Sequence, residues 1–331
     1  MAKVKSLIKA LKRKKRVFIQ THNYPDHDSV ASAFALQYLL KQHDIESDII
    51  YHGEILRDSL QRMIDRLGID IRHHSQYELD ESDIIVIVDA NKKSKNVAEL
   101  KGKVVAVIDH HQGTAYDDLD FCDIRSDYGA CATIVFSYFA DLRLEPSVEV
   151  ATAIHTAINF DTHQFTRNVN SLDIETVALL YRVSDVALVN SLVRNSIKVD
   201  DLSKYSYLLE NVKFHHNFAY CHFPNGCDKN LLAILSDYLL TIDEVSFAVL
   251  SAKYLDEIIF SVRSELAELP AHIMISEVLN GIGSGGGHID MAGGRMPLSI
   301  DFREEDIYNK FLSQVRLRNS FRITISDSWG G

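Results

Sequence analysis

Cysteine is scarce in this chain: among 331 residues there are four, Cys122, Cys131, Cys221 and Cys227, and no two have C-x-x-C spacing. That excludes a zinc ribbon and a thioredoxin-like redox motif, and four thiols in a chain this long do not make a disulfide scaffold. A reducing, cytoplasmic compartment is the simpler reading. Long apolar runs are missing too. No segment approaches the roughly 20 apolar residues of a membrane span. Val17-Phe18-Ile19, behind the basic N-terminus, is too short for a signal-peptide core. No membrane association is expected. Positive charge is in the minority, with 35 Lys and Arg against 46 Asp and Glu and a formal net charge of −11. Such a surface disfavours long nucleic acid, which needs a broad basic face. It leaves room for a small phosphorylated substrate, because bound divalent cations reverse the local field. The basic residues between Lys3 and Arg16 read best as the solvated face of a first helix.

The hydrophobic fraction of 46% and charged fraction of 24% fit a globular protein, and the length allows two domains. Strand-like runs at Val17–Gln20, Ser47–Tyr51, Ile84–Val88 and Val104–Ile108 alternate with helical patterns at 3–15, 29–42 and 55–67. The second of these helices would be capped by Asp28 or Ser29. This alternation predicts an α/β fold with a doubly wound, mostly parallel sheet. Beyond Asp127 the pattern is helical, at 128–140, 147–159 and 171–181. A further helical segment, 186–207, joins the halves. Strands at 218–223, 247–252 and 257–262 and helices at 231–240, 271–279 and 306–315 predict a smaller C-terminal α/β domain. The expected division is 1–190 for the first domain, 191–214 for a helical linker, 215–325 for the second domain and 326–331 for a loose tail.

Polar residues that could carry chemistry gather at element ends. His22, Asp26 and Asp28 lie in the turn after the first strand, and Asp89 follows Ile84–Val88. Asp109-His110-His111 closes the run Val104–Ile108, and Asp161 sits at a polar turn after a helix. Each alone could be a cap or turn former. Together they supply ligands for two divalent ions with one shared carboxylate. Asp and His without Cys suit Mn²⁺, Mg²⁺ or Fe²⁺. A two-ion site activates water for in-line attack on phosphorus, which fits the absence of a G-x-S-x-G elbow or a cysteine with a partner base. Late in the chain, Gly281-Ile282-Gly283-Ser284-Gly285-Gly286-Gly287-His288 follows a helix rather than a first strand, so its G-x-G-x-x-G spelling is not a dinucleotide fingerprint. It reads as a backbone nest for a phosphate or carboxylate, or as a flexible loop. Arg263, on a strand, is either a bidentate phosphate clamp or an ordinary solvated or paired arginine.

Taken in order, His22-Asn23-Tyr24-Pro25-Asp26-His27-Asp28, Asp89, Asp109-His110-His111, Asp161-Thr162 and Gly285-Gly286-Gly287-His288 resemble the DHH phosphoesterase family, in the branch whose DHH-associated C-terminal domain ends in G-G-G-H. The resemblance covers nearly the whole chain. It implies two divalent ions, usually Mn²⁺, in a cleft between the domains. By similarity, His22 and Asp26 would hold one ion and Asp28 and His110 the other. Asp89 would bridge them and Asp161 would complete the set. His111 would face the scissile phosphate, supported by Asp109. Arg263 and Gly285, Gly286, Gly287 and His288 would hold the far part of the substrate. Two positions depart from the family habit: His163 and His27 stand where glycine is frequent, adding bulk or charge beside the site. Size and layout resemble the enzymes that trim short oligoribonucleotides and dephosphorylate 3′,5′-bisphosphate nucleotides such as pAp. Stand-alone cyclic or linear dinucleotide phosphodiesterases and exopolyphosphatase-like enzymes are the rivals, and a non-catalytic nucleotide-binding regulator is the reading from another class. A homodimer is compatible with the chain.

Overall fold

The computed structural model describes residues 3–326 except 13, 15, 95, 114, 115, 195, 196 and 301, with side chains as far as 318. Of the expected tail, residues 327–331 lie outside the described residues. The chain divides into two compact units, Met1–Ser196 and Ile197–Gly331.

The first unit is built on six parallel strands: β1 (Val17–Gln20), β2 (Asp48–Tyr51), β3 (Ile71–His73), β4 (Ile84–Val88), β5 (Lys103–Asp109) and β6 (Phe121–Ile124). Their order across the sheet is β3-β2-β1-β4-β5-β6. β4 reads Ile-Ile-Val-Ile-Val and is buried along its whole length. That suits a central parallel strand covered on both faces. The helices are α1 (Lys3–Leu11), α2 (His27–Lys41), α3 (Asp58–Leu67), α4 (Cys131–Leu142), α5 (Val148–Asp161), α6 (Ser171–Leu180) and α7 (Val186–Arg194). Sequence order reverses direction between β1 and β4. In doubly wound sheets that switch point, at the carboxyl ends of the strands, is where ligands bind.

α2 begins two residues earlier than its pattern predicts. Asp26, not Asp28 or Ser29, is its N-cap, in a capping box with Ser29. Asp28 therefore lies inside the first turn, where its side chain is fully enclosed. α2 is apolar on most of its surface, with Val30, Ala31, Ala33, Ala35, Leu36 and Leu39 all buried. It packs on α4 and α5, as an all-round apolar helix must.

The second unit contains α8 (Leu202–Asn211), β7 (Lys213–His215), β8 (Phe218–Phe223), α9 (Lys229–Leu239), β9 (Phe247–Tyr254), β10 (Glu257–Ser264), α10 (Ala271–Val278), β11 (Ser284–Gly287), β12 (Met291–Pro297) and α11 (Glu304–Ser326). Its six-stranded sheet runs β11-β12-β10-β9-β8-β7 and is antiparallel except between β8 and β9. The glycine run is thus neither a nest nor a loop at Ser284–Gly287. It is an edge strand paired with β12. Packing explains the composition: a Cβ on Gly285 would come within 2.7 Å of the Ile275 side chain of α10. The segment expected to be helical from 186 to 207 is divided between α7, a short 3₁₀ turn at Val199–Asp201 and α8. Among the described residues, no helix is long and apolar enough to cross a membrane.

Asp123 ties the far edge of the first sheet together. Its fully buried carboxylate accepts from Arg125 at 2.8 Å, Lys3 at 2.8 Å and Tyr138 at 2.7 Å. Burial opposes its charge, but these three donors hold its pKa below the ordinary carboxylate value. A depressed folded pKa contributes stability above the unfolded pKa that is lost as pH falls through the carboxylate range. Asp123→Ala is expected to destabilise the protein by about 3 kcal/mol at pH 7. In urea denaturation, the gap between wild type and variant should shrink toward pH 3.

Candidate metal centre

The ends of β1, β4 and β5, three neighbours in the sheet, deliver His22, Asp89 and Asp109-His110-His111. α2 adds Asp26 and Asp28, and α5 adds Asp161 as its last residue rather than in the turn beyond it. These side chains converge. Ligand atoms of His22, Asp26 and Asp89 lie within 4.8 Å of one another, as do those of Asp28, His110 and Asp161, and those of Asp89, His110 and His111. Asp89 belongs to more than one group. Its Oδ2 is 3.6 Å from His22 Nε2, and its Oδ1 is 3.4 Å from His110 Nε2. His22 Nε2 is also 3.5 Å from Asp26, and His110 Nε2 is 3.2 Å from Asp161 and 3.8 Å from Asp28.

The tautomers follow from the hydrogen bonds. His22 Nδ1 is 2.9 Å from the Asn23 carbonyl and His110 Nδ1 is 3.0 Å from the Tyr128 carbonyl. A carbonyl only accepts, so each Nδ1 carries its proton. When the imidazole is neutral, Nε2 then presents its lone pair to the carboxylates, the arrangement a metal-ligating histidine needs. His111 is arranged differently. Its Nδ1 donates to Asp109 Oδ1 at 2.9 Å, and the same oxygen accepts the His111 backbone N–H at 3.1 Å. Asp109, fully buried, meets the cluster through His111 and orients that ring.

Asp28 is anchored from an unexpected quarter. Its Oδ2 accepts the Cys131 N–H at 2.6 Å and its Oδ1 accepts the Ala132 N–H at 2.8 Å. These are the first amides of α4, whose N-cap, Ala130, supplies no side-chain cap. The carboxylate satisfies amides that would otherwise be orphaned, and the helix end favours its charge. The approach to α4 is itself pinned by buried Asp173, which accepts from the N–H groups of Gly129 and Asn170, both at 2.8 Å, and from the Thr133 hydroxyl. A Cβ on Gly129 would meet the Asn168 carbonyl, Asp173 and Thr162 within 2.7 Å. The sequence reading missed Gly129 and Asp173. The available signal was an apolar helix start with no capping residue before it.

Charge is concentrated here beyond what the protein balances. Burial, together with the Asp89 and Asp161 charges, pushes the Asp28 carboxyl well above the usual range, and burial with the Asp26 charge raises Asp89. Burial opposes a charged imidazole, yet Asp26 and Asp89 raise His22 to about 10, and Asp161 and Asp89 raise His110 well above its ordinary value. Asp89 Oδ1 is buried and accepts no hydrogen bond among the described residues. Without cations the cluster must take up protons. Oxygen and imidazole donors with no thiolate fit Mn²⁺, Mg²⁺ or Fe²⁺.

The two glycine-replacing histidines fall differently. His27 is buried and stacked on Phe160, with ring centroids 3.5 Å apart. Burial and nearby Arg57 lower its pKa to about 3, so it adds bulk but no charge. His163 has φ +47°, a left-handed conformation in which glycine costs least.

In the second unit, Arg263 lines a cavity of about 600 Å³ together with Lys229, Ser261, Arg295 and the stretch Gly285–His288. Its guanidinium is largely engaged by protein. Nε donates to Asp237 Oδ1 at 2.6 Å, and one terminal nitrogen donates to Ser261 Oγ at 3.2 Å and the Val262 carbonyl at 3.1 Å. It is a paired arginine at a cavity wall rather than an open fork. Gly286 has nothing within 4 Å of the position a Cβ would take. The exposed His288 closes the β11–β12 turn through its N–H to the Met291 carbonyl.

A doubly wound sheet with an Asp/His cluster at its switch point, joined to a mixed-sheet unit, defines the class of fold. The family model described as the DHH family, N-terminal domain, matches residues 16–158, and the DHHA1 domain matches residues 212–316. The chain belongs to the DHH family. An uncharacterized protein of Methanocaldococcus jannaschii is 31% identical over 87% of this chain and 59% of its own length. A probable manganese-dependent inorganic pyrophosphatase of Lactobacillus acidophilus is 26% identical over 44% of this chain and 47% of its own. The cyclic-di-AMP phosphodiesterase of Listeria monocytogenes is 22% identical over 84% of this chain and 44% of its own. The chain thus spans less than two thirds of each of these relatives. Among solved structures, an exopolyphosphatase-related protein from Bacteroides fragilis shares the fold, with a TM-score of 0.78, 22% identity and 97% of each chain covered.

The uncompensated carboxylates predict that Mn²⁺ raises the melting temperature and that EDTA reverses the effect. At a hundred times the dissociation constant one site contributes about 2.7 kcal/mol. Asp89→Asn should remove most of the shift. Asn is the replacement of choice because Asp89 has φ +58°, which Asn tolerates better than Ala. A wild-type melt indifferent to Mn²⁺ would count against a metal centre here.

Proposed function

We propose that this chain is a divalent-metal-dependent phosphoester hydrolase acting on short nucleotides, namely oligoribonucleotides of a few residues and 3′,5′-bisphosphate nucleotides such as pAp. The observation that carries the reading is Asp89, whose two oxygens face two different imidazole–carboxylate groups, as a carboxylate shared by two ions would. The named activities among the relatives, a phosphodiesterase and a manganese-dependent pyrophosphatase, are hydrolyses at phosphorus. Manganese is accordingly the favoured ion, with Mg²⁺ or Fe²⁺ as substitutes.

Under this reading, His22, Asp26 and Asp89 hold one ion and Asp28, Asp89, His110 and Asp161 the other. When bound, such a pair supplies activated water and neutralises charge on the phosphoryl oxygens. The Cys131 and Ala132 amides aim Asp28, and bound cations would favour its ionised form. His111 stands beside the cluster with a half-exposed ring. Burial works against its charge, but the Asp109 hydrogen bond and the Asp89 charge raise its pKa above the ordinary value. With Nδ1 committed to Asp109, Nε2 is the ring nitrogen that would give a proton to the leaving oxygen. The second unit's own cavity at Arg263 and Gly285–His288 would take an anionic group, with Lys229 and Arg295 adding positive charge. An acidic surface and a cavity of this size suit a small anion rather than long nucleic acid. A cytoplasmic location belongs to the same proposal and rests on the four free thiols. The likeness to a cyclic-di-AMP phosphodiesterase across most of this chain favours cyclic dinucleotides as the second reading.

A product assay with Mn²⁺ decides between them. It compares pApA, a short RNA oligomer, pAp, cyclic di-AMP and polyphosphate at equal concentration. Mononucleotide released from pApA and the oligomer, phosphate released from pAp, and loss of both with EDTA are expected. Cleavage of cyclic di-AMP or polyphosphate alone would overturn the substrate, and binding without turnover would favour a regulator. His111→Gln should lower kcat by about 10² to 10⁴, the range for loss of a general acid, while keeping the Mn²⁺ stabilisation.

A further inference from the structure

Three imidazoles that the phosphoester reading does not use meet at the outer edge of the first unit's sheet. His52 directly follows β2, His73 ends β3 and His74 opens the 3₁₀ turn His74–Gln76. β2 and β3 are parallel neighbours with Tyr51 opposite His73, so both strand ends finish side by side. His52 Nδ1 lies 3.0 Å from His74 Nε2. The His73 ring is centred 4.6 Å from that of His74 and 5.9 Å from that of His52. One ring nitrogen from each histidine falls within 4.8 Å of the others, and all three residues are half-buried.

We propose that His52, His73 and His74 form a second metal site, separate in chemistry from the carboxylate cluster, that takes a zinc-class ion and leaves a fourth position for water. Two ring nitrogens facing each other at 3.0 Å either share one proton or share one ion. Zinc–nitrogen bonds of about 2.0–2.1 Å at a tetrahedral angle place two ligands roughly 3.3–3.4 Å apart. Replacing the proton by zinc therefore asks for a separation of only a few tenths of an ångström. His73 needs one adjustment. Its Nδ1 accepts the Ser75 N–H at 3.3 Å and also meets the Ser75 hydroxyl at 2.7 Å. A hydroxyl donates or accepts, so with Nδ1 protonated and donating to Ser75 Oγ, in place of accepting the Ser75 N–H, Nε2 presents its lone pair to the ion. The group consists of imidazoles alone, with neither carboxylate nor thiol. That donor set suits zinc, copper or nickel and is a poor match for Mn²⁺ or Mg²⁺. Burial and the two neighbouring imidazoles lower the His74 pKa, which keeps its ring neutral and available near neutral pH.

The site reaches the metal-motif turn through the backbone. The His52 carbonyl accepts the Tyr24 N–H at 2.9 Å. The Tyr24 ring packs so closely on Gly53 that a Cβ there would come within 2.9 Å of it. An ion at His52, His73 and His74 thus fixes the strand ends against which the turn to Asp26 is folded.

The test counts zinc per full-length chain by equilibrium dialysis against ZnCl₂ and examines the zinc ligands by X-ray absorption. Two variants are compared with wild type: His52→Asn/His74→Asn, and Asp89→Asn/His110→Asn. The expected result is that the first variant loses one equivalent of zinc relative to wild type. The second should keep an ion with a nitrogen-dominated shell. An unchanged zinc count in the histidine variant, with its circular dichroism native, would overturn the proposal. If that variant misfolds, His73→Asn alone is read by the same count: a weakened equivalent supports the site, and an unaltered titration overturns it. Because the histidine variant retains every residue assigned to phosphoester hydrolysis, failure here leaves the proposed function standing, and the converse holds as well.

Discussion

A carboxylate with no exposed surface, Asp28, sits between the first two amides of α4 and a pocket already carrying Asp26, Asp89 and Asp161, and much of the first unit follows from where it is held. An ionised carboxylate is costly to bury without partners. Here the partners are backbone N–H groups more than a hundred residues away in sequence. α2 and α4 are joined by that contact as well as by their apolar faces. α4 keeps its register because Asp173 grips Gly129 just ahead of it, and Gly129 is small enough for the Thr162 and Asn168 segments to close over it. The chain that orders the cluster therefore runs from α6 through the head of α4 into α2. None of those supporting residues is itself a candidate ligand.

Strand order explains why ligands so far apart in sequence meet. β1, β4 and β5 are consecutive across the sheet although α2, α3 and two further strands separate them along the chain. Parallel strands end on the same side, so the residues just past β1, β4 and β5 form a row at one edge of the sheet. β1 and β4 flank the switch point, where their connections diverge to opposite faces and leave a crevice. His22 and Asp89 line that crevice, and His110 stands one strand over. Asp89 has to turn its carboxylate toward both neighbours, and its left-handed backbone at φ +58° is part of that turn.

Much of this was legible in the sequence. β4 and β5 are β-branched runs that have few alternatives to a buried parallel strand, and their polar endings name the site. The start of α2 was not. Asp28 and Ser29 both look like caps, and only the Asp26–Ser29 reciprocal bonds decide the matter. The short strands β3, β6 and β7 carry too few residues for a periodicity to register. β11 is four residues of Ser and Gly that read as a loop, and only pairing with β12 makes it a strand. His52 and the His73–His74 pair lie in separate stretches with no shared spacing, so nothing short of the β2–β3 register brings them together. Clustering across sheet neighbours is invisible to local pattern, whereas clustering at the end of one strand is not.

The second unit shows the same limit from the side of energetics. An arginine on an antiparallel strand can be an open clamp or a paired core residue, and the sequence contains no term that decides between them. The Asp237 carboxylate decides it, holding Arg263 Nε at 2.6 Å at the wall of the cavity. A guanidinium so paired is fixed in one orientation before any ligand arrives, which reduces the entropy lost on binding. The same pairing cancels much of its charge, so under the proposed function Arg263 would position an anion more than attract one. The glycines complement that restraint. β11 is an edge strand, and its outer backbone groups have no neighbour in the sheet. Gly286 has nothing within 4 Å of the position a Cβ would take, so the backbone is open to direct approach there. A fixed cation on one wall and a bare peptide edge on another favour a small, shaped polar molecule over an extended polyanion, the same preference that the acidic composition expresses for the chain as a whole.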